Sequence, residues 1–414
     1  MYRVWNFVQS YSILLISGAL LALVWANTAP EAYHGFIEWV IADHFIIGHP
    51  HDGYRTLTLH YLINDFLMAF FFAMAGKEVW EAVILEDGSL RGKKALTPLI
   101  ATAGGIAGPV AVYLGLALVM GTDVYQEVKN GWAVPIATDI AFAYLVGRLV
   151  FGAKHSAVGF LLLLAIADDA AGLIILAVFY PSGDLAPVWL LLSLGAAVSA
   201  FILFNWLPRR LDRGKQDRPF STKMDRMLGY WPYLAFGLIS WYGFMRAGIH
   251  PALGLLPIIP AMPHADRAFG IFHEDEHLAT DTLNRAEHAL ETPVEVILFF
   301  FGLANAGVEF SSMGPTTWLV VLGLIVGKPI GIFIFGYISG VTMKLGLPEG
   351  MRPVDLIVVG FVAAIGFTVS LFIAAVAFDA GPIQDAAKMG ALFSFFAAAI
   401  AIVAGKVMGV QKQE

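Results

Sequence analysis

Long apolar stretches limit most strongly what this chain of 414 residues can fold into. A helix needs about 20 mostly apolar residues to cross the hydrocarbon core of a bilayer, and such stretches recur along the whole sequence. Strands of a membrane barrel would alternate polar and apolar residues, whereas runs such as LLLLAI do not. The sequence therefore predicts an all-α polytopic membrane protein with about twelve transmembrane helices, near residues 11–27, 59–76, 95–120, 132–149, 156–178, 186–206, 230–245, 247–262, 293–312, 316–340, 354–378 and 387–408.

The composition excludes several other classes of protein. Hydrophobic residues make up 58% of the chain and charged residues only 14%, whereas soluble domains have about 25% charged residues. The absence of Cys excludes disulfides and thiolate metal sites. A sequence pI of about 5.9 gives no support for nucleic-acid binding. The expected surroundings of this chain are therefore a lipid bilayer.

The distribution of Lys and Arg predicts the orientation of the spans. Most of these residues lie in the even-numbered loops and few in the odd-numbered loops, which predicts that both termini are in the cytoplasm. The most basic loop, near 207–228, joins two halves of what we predict to be a single transmembrane domain over residues 1–414. The first external loop contains FIIGHPHDGYRTLTL, which is compatible with a small hairpin or with a plain loop.

Four ionisable residues lie at mid-helix positions of the predicted spans. They are Asp139 in the fourth span, Asp168 and Asp169 in the fifth, and Lys328 in the tenth. A charge at the centre of a membrane costs roughly 2.5–3.5 kcal/mol on insertion scales, so such residues are functional candidates by default. Asp65, near one end of the second span, is more typical of a polar residue that helps helices to pack.

The paired aspartates suit a site at which two cations compete. Asp168 and Asp169 are separated by about 100° around the helix, so they share surroundings but have different neighbours. Two close carboxylates repel one another, and one of them binds a proton or a small cation to relieve that repulsion. A single amine, Lys328, pairs with only one carboxylate at a time. An inert Asp168–Lys328 ion pair is the structural alternative, but it leaves Asp139 and Asp169 unexplained.

Interruptions are predicted in the fourth and eleventh spans. Pro135 precedes Thr138 and Asp139, either of which could cap a following helix. In the eleventh span, Gly360 and Gly366 lie in VVGFVAAIGFTVSLFIA. Transporters bind their substrates where corresponding spans of two inverted repeats are broken. Spans 3–5 and 10–12 would form those repeats here.

Seven collinear motifs carry a resemblance to a known family. They are NDFLMAFFFAMAGKEV, GWAVPIATDIAFA, AIADDAAGLIILAVFY, AGIHPAL, FGLANAGVEF, GKPIGIF and AIGFTVSLFIAAVAF. Together they closely resemble the NhaA family of sodium/proton antiporters over residues 10–408. The resemblance implies the NhaA fold and a secondary active transporter that exchanges cytoplasmic Na⁺ or Li⁺ for external H⁺. It further implies electrogenic, pH-regulated exchange without organic cofactors or catalytic residues, and a homodimer in the bacterial cytoplasmic membrane.

The resemblance also implies roles for individual residues. Asp169 would be the main carboxylate for sodium and protons, and Asp168 would pair with Lys328 when no sodium is bound. Thr138 would lie beside the site. Asp139 would compensate the positive ends of the broken helices, and Lys328 their negative ends.

One block departs from the family pattern. Where the family has a basic pair and a second glutamate after Gly-x-Glu-Val, this chain has Trp80, Glu81 and Ala82, although Glu78 is retained. The loss of two cations is expected to alter the electrostatics of a region that the family uses for its pH response. The remaining candidates for that response are therefore Glu78, Glu287 and His288.

Two other functions are compatible with parts of the sequence. His273, Glu274 and His277 satisfy the H-E-x-x-H pattern, in which two His bind zinc and the Glu is a general base. A membrane-embedded zinc metalloprotease is therefore one alternative, although this segment lies in an acidic loop. A cation channel is the other, although a lysine paired with buried carboxylates favours an occluded site over an open pore.

Overall fold

The computed structural model describes residues 2–51, 54–86, 88–92, 95–213, 219–264 and 281–413. Over these residues the chain is mostly helical and contains one small sheet, formed by strands β1 (Val40–Phe45), β2 (His49–His51) and β3 (Tyr54–Thr58). The helices in the first half are α1 (Tyr2–Thr28), α2 (Pro30–Ile37), α3 (Leu59–Ile84), α4 (Leu96–Met120), α5 (Thr122–Ile136), α6 (Ile140–Phe151), α7 (Ser156–Phe179) and α8 (Pro187–Leu211). Those in the second half are α9 (Pro219–Leu228), α10 (Trp231–Ala247), α11 (Pro251–Ala261), α12 (Thr282–Asn305), α13 (Pro315–Thr342), α14 (Asp355–Ala363), α15 (Phe367–Ala377) and α16 (Pro382–Val407).

Six of the described helices are long and apolar enough to cross a membrane: α3, α4, α7, α8, α13 and α16. Two bent pairs, α5 with α6 and α14 with α15, raise the number of candidate spans to eight. A helical protein with several membrane spans is thus confirmed, whereas twelve spans and the inverted repeats remain predictions. The second span is longer than predicted, because α3 continues to Ile84.

The chain forms two compact units, the first of which contains residues 1–7, 37–88 and 176–301. Its sheet has the order β1–β3–β2, and both pairings are antiparallel. The segment that the sequence left open between a hairpin and a plain loop is therefore a three-stranded sheet. Trp241 packs near the sheet in an apolar cluster with Leu57, Tyr61 and Met245.

The second unit contains residues 8–36, 89–175 and 302–414. Its helices α4 and α13 approach each other through glycines. A Cβ atom on Gly331 would lie 1.9 Å from the carbonyl oxygen of Gly104, and one on Gly108 would lie 2.2 Å from that of Gly327. Side chains at these positions would force the two backbones apart, so small residues are what permits the contact.

Residues 408–413, after the end of α16, also contact other parts of the second unit. Gln413 donates its N–H to the carbonyl of Phe151 at 3.0 Å and accepts from the N–H of Lys154 at 3.0 Å. Arg352 donates to the carbonyl of Met408 at 3.3 Å. These bonds bring the ends of α6 and α16 and the start of α14 to the same side of the unit.

Candidate ion site

The two interrupted spans of the second unit meet at their breaks. The chain bends by 56° between α5 and α6 and by 52° between α14 and α15. Pro135 occupies the last turn of α5, where it has no N–H to continue the helix. The N–H of Asp139, in the first break, donates to the carbonyl of Ile365, in the second, at 2.7 Å. The two interruptions indicated by the sequence are therefore both present, and they are in direct contact.

Asp139 caps two helices at once. It is buried, and its Oδ1 accepts from the N–H of Phe142 at 3.3 Å in the first turn of α6. Its Oδ2 accepts from the N–H of Thr368 at 3.3 Å in the first turn of α15, and also from the Thr368 hydroxyl. Because the N-terminus of a helix carries partial positive charge, one carboxylate between two such ends is favourable for both.

Lys328 lies at the negative end of a broken span. Its side chain is 0% exposed, and its Nζ donates to the carbonyl of Ile136, the last residue of α5. The last carbonyls of a helix lack partners within the helix and carry partial negative charge. The same Nζ lies 2.8 Å from Oδ2 of Asp168. Lys328 therefore contacts both a helix end and one of the paired aspartates.

The two oxygens of Asp168 have different surroundings. Oδ2 faces Lys328 and also accepts from the hydroxyl of Thr138 at 2.7 Å. Oδ1 is buried and has no hydrogen-bond partner in the part of the chain that the structure describes. The Thr138 hydroxyl also lies 3.0 Å from the carbonyl of Ala363 in α14, and its single proton serves only one acceptor at a time.

Asp169 is less buried than Asp168 and lies next to it on α7. It interacts electrostatically with the negative charges of Asp168 and Asp139 and with the positive charge of Lys328. Within the described ranges, Asp169 makes no hydrogen bond or ion pair. The site thus combines a neutralised carboxylate with a second one that lacks a counter-ion of its own, an arrangement that suits binding of one proton or one small cation.

Among the described residues, no group of three or more His, Cys, Asp or Glu side chains is close enough to hold a metal ion. The candidate zinc residues His273, Glu274 and His277 lie outside the described residues.

Asp65 belongs to the first unit, and the contacts described for it are within that unit. It is buried, and its Oδ1 lies 3.9 Å from Nε2 of His250. Its backbone carbonyl accepts from the indole N–H of Trp241 at 2.8 Å. These contacts tie α3 to α10 and to the start of α11, as expected for a polar residue that helps helices to pack.

Comparison with known proteins shows the family of this chain. The family described as Na⁺/H⁺ antiporter 1 matches residues 3–405. The chain belongs to this family. A curated NhaA Na⁺/H⁺ antiporter from Jannaschia sp. (strain CCS1) is 64% identical over 362 residues, covering 86% of each chain. Its counterpart from Geotalea uraniireducens is 45% identical, over 84% of this chain and 81% of that protein.

The fold of this chain is also similar to that of a solved antiporter structure. The sodium/proton antiporter MjNhaP1 from Methanocaldococcus jannaschii, at pH 8, matches 98% of this chain and 97% of its own with a TM-score of 0.50. Its sequence identity to this chain is only 12%, so the likeness concerns the fold alone.

The block that departs from the NhaA pattern contains a cation that the sequence reading missed. Lys77 is buried in α3, and its Nζ lies 3.2 Å from Glu78, 3.0 Å from Glu81 and 2.6 Å from Glu287 of α12. The second span was predicted near residues 59–76, which ends just before Lys77, whereas α3 extends past it to Ile84. The spacing of four residues between Lys77 and Glu81 on a helix was the available signal.

Of the pH-response candidates, the structure brings Glu78 and Glu287 together around Lys77. His288 instead lies 3.1 Å from Glu291, one turn further along α12. Lys77 thus supplies one buried cation about one turn before the positions at which the family has its basic pair.

Proposed function

We propose that this chain, a sodium/proton exchanger by family, carries both ions on Asp169 and Asp168. The observation that supports this proposal is the buried Asp168–Lys328 pair, 2.8 Å apart, beside a second carboxylate without a counter-ion. In this scheme Asp169 is the main carrier of the proton or of Na⁺. The protein is a transporter and not an enzyme, and its function needs no cofactor beyond the transported ions.

Competition for oxygen ligands explains the exchange. Na⁺ is a hard cation that takes oxygen ligands, and here Asp169, Asp168 and the Thr138 hydroxyl would supply them. When Na⁺ binds Asp168, Lys328 loses part of its pairing, whereas a proton on Asp169 removes the charge that attracts Na⁺. Each ion therefore weakens binding of the other, and alternate exposure to the two sides of the membrane converts that competition into exchange.

The charged residues around the breaks reduce the free-energy cost of placing broken helix ends within the membrane. Asp139 compensates the positive ends of α6 and α15, and Lys328 the negative end of α5. Cytoplasmic Na⁺ or Li⁺ leaves the cell in exchange for external H⁺. More than one proton enters per Na⁺, so transport is electrogenic and responds to the membrane potential.

The proposed topology has twelve spans with inverted repeats in spans 3–5 and 10–12, in the bacterial cytoplasmic membrane. Both termini are cytoplasmic, which the asymmetry of Lys and Arg supports. The bonds from residues 408–413 to Phe151, Lys154 and Arg352 agree with this topology, since it assigns all of those residues to one face. The protein works as a homodimer, to which the sheet of β1–β3 contributes.

The exchanger also responds to pH through the cluster around Lys77. Glu78, Glu81 and Glu287 surround one buried ammonium group, so protonation of any of the three changes a balance of buried charges. His288 lies next to Glu287 in the chain and pairs with Glu291 when protonated.

Proteoliposomes with a pH-sensitive dye inside test the ion site. Addition of Na⁺ or Li⁺ to the wild type is expected to move protons, and Asp169→Asn is expected to abolish this response, with Asp168→Asn reducing it strongly. Asp184→Asn, the same change at an exposed aspartate, is the matched control. Wild-type exchange by Asp169→Asn would refute the assignment, and a wild type without exchange across pH 6–9 would refute the function.

A further inference from the structure

Beyond the ion site itself, hydroxyl groups connect the two broken spans through contacts with backbone carbonyls. Thr138, in the break between α5 and α6, lies 3.0 Å from the carbonyl of Ala363 at the end of α14. Ser370, in α15, donates to the carbonyl of Val134 near the end of α5 at 2.8 Å. A carbonyl near the break of each span thus lies within hydrogen-bond distance of a hydroxyl from the other span. Such contacts are one way to satisfy carbonyls that a broken helix leaves without partners.

A third hydroxyl, that of Thr368, has a different kind of acceptor. It donates to Oδ2 of Asp139, and the N–H of the same residue donates to the same oxygen. Thr368 and Ser370 are both fully buried on the same helix, two residues apart. The chain therefore offers two hydroxyls in nearly the same environment, one bound to a carboxylate and the other to a neutral carbonyl.

The acceptor matters because Asp139 acts on the ion site. The negative charges of Asp139 and Asp169 repel each other, and a cation bound at Asp169 is attracted by both. Hydrogen bonds to a charged acceptor are stronger than those between neutral groups. The Thr368 hydroxyl therefore stabilises the ionised form of Asp139 and fixes its Oδ2 between the two spans.

We infer that Thr368 is a positioning residue for ion exchange, which acts through Asp139 on the affinity of the site for Na⁺ and Li⁺. This inference depends on the proposed function, because it assigns a role only if Asp168 and Asp169 bind the transported cation. Ser370 has no such role, since its hydroxyl binds a carbonyl and leaves the charges near Asp169 unchanged.

The test compares Thr368→Val, which keeps the shape and removes the hydroxyl, with Thr368→Ser, which keeps the hydroxyl. Initial rates of Na⁺-driven and Li⁺-driven exchange in proteoliposomes give KM and kcat for each variant. Thr368→Val is expected to raise KM for both ions by about three- to tenfold, because only part of the free energy of the charge-assisted bond to Asp139 reaches the bound ion, with kcat changed by less than about twofold. Thr368→Ser is expected to restore the wild-type KM.

Ser370→Ala is the matched structural control. It removes a buried hydroxyl from the same helix, so it is expected to lower thermal stability as Thr368→Val does while leaving KM unchanged. In an Asp139→Asn background, Thr368→Val is expected to have no further effect on KM, because the charge through which the hydroxyl acts is already absent.

Several outcomes would overturn the inference. A folded Thr368→Val variant with wild-type KM would do so, as would Thr368→Ser with the same defect as Thr368→Val, since that would assign the effect to the methyl group. If Thr368→Val and Thr368→Ala both fail to insert while Ser370→Ala inserts, the hydroxyl serves folding and not ion affinity. Failure of the proposed function is distinguishable, because Asp169→Asn would then exchange ions normally.

Discussion

Replacing Lys328 by Met tests how strongly the buried charges of the site depend on one another. Nζ of Lys328 and Oδ2 of Asp168 are 2.8 Å apart, and both side chains are almost completely buried. With an effective dielectric constant near 20, the attraction at this distance is about 6 kcal/mol. Protonation of Asp168 would limit the loss, and removing one partner of a buried pair typically costs about 3–5 kcal/mol.

The free energy of unfolding in mixed detergent micelles is the quantity to measure, for four variants. Lys328→Met and Asp168→Leu are each expected to lose about 3–5 kcal/mol, because each strands one buried charge. The double variant has no buried charge at this pair, so it is expected to be more stable than either single variant. Lys406→Met, the same change at an exposed lysine in the last turn of α16, is expected to stay within about 0.5 kcal/mol of the wild type.

The reasoning would be refuted if the two single losses simply added in the double variant. Additive losses mean that the two residues do not interact energetically, whatever their separation. A Lys328→Met variant as stable as Lys406→Met would refute it equally, since a stranded carboxylate would then carry no cost.

Three further predictions concern packing and pH, each checked by the same unfolding measurement. Gly331→Ala is expected to cost about 1–3 kcal/mol, because its methyl group would collide with the backbone of α4; Gly195→Ala, in a helix with open space around it, should cost nothing. Tyr33→Phe is expected to cost about 1 kcal/mol, since the Tyr33 hydroxyl donates to a carbonyl at the end of α12 at 2.8 Å. Burial raises the pKa of Tyr33 above its ordinary value of 10.0, so the wild type should lose stability as the pH rises above 10, and Tyr33→Phe should lose less. Lys77→Met is expected to destabilise more than Glu81→Gln, because it leaves three buried carboxylates without their shared cation.

The sequence was most informative where a residue violates the rules for lipid. A charge in an apolar span is costly, which is why the sequence singles out Asp139, Asp168 and Lys328. In the structure they lie around the contact between the two broken spans. Pro135 likewise marked a break by its missing N–H. Which oxygen each group would contact was not predictable, since such contacts join residues far apart in the chain, as between Thr368 and Asp139.

Short and amphipathic elements were harder to predict. The end of α3 was placed too early because Lys77 and Glu78 interrupt the apolar run, whereas in the structure each finds a partner and stays in the helix. The strands β1–β3 were uncertain for a related reason. The first strand pairs with the third and not with the second. Pairing between strands that are not consecutive depends on contacts between distant residues, which the local sequence does not determine.

The close contact between α4 and α13 has a mechanical consequence for the lysine at the site. The backbones meet at Gly104 and Gly331, and Lys328 lies one turn before that point on α13. Because no side chains separate the two backbones at this point, sliding of α13 along α4 would bring carbonyl oxygens of one helix too close to carbon atoms of the other. We therefore expect Lys328 to move only together with α4. Spin labels attached to α4 and α13 would then keep a constant distance from each other throughout the transport cycle.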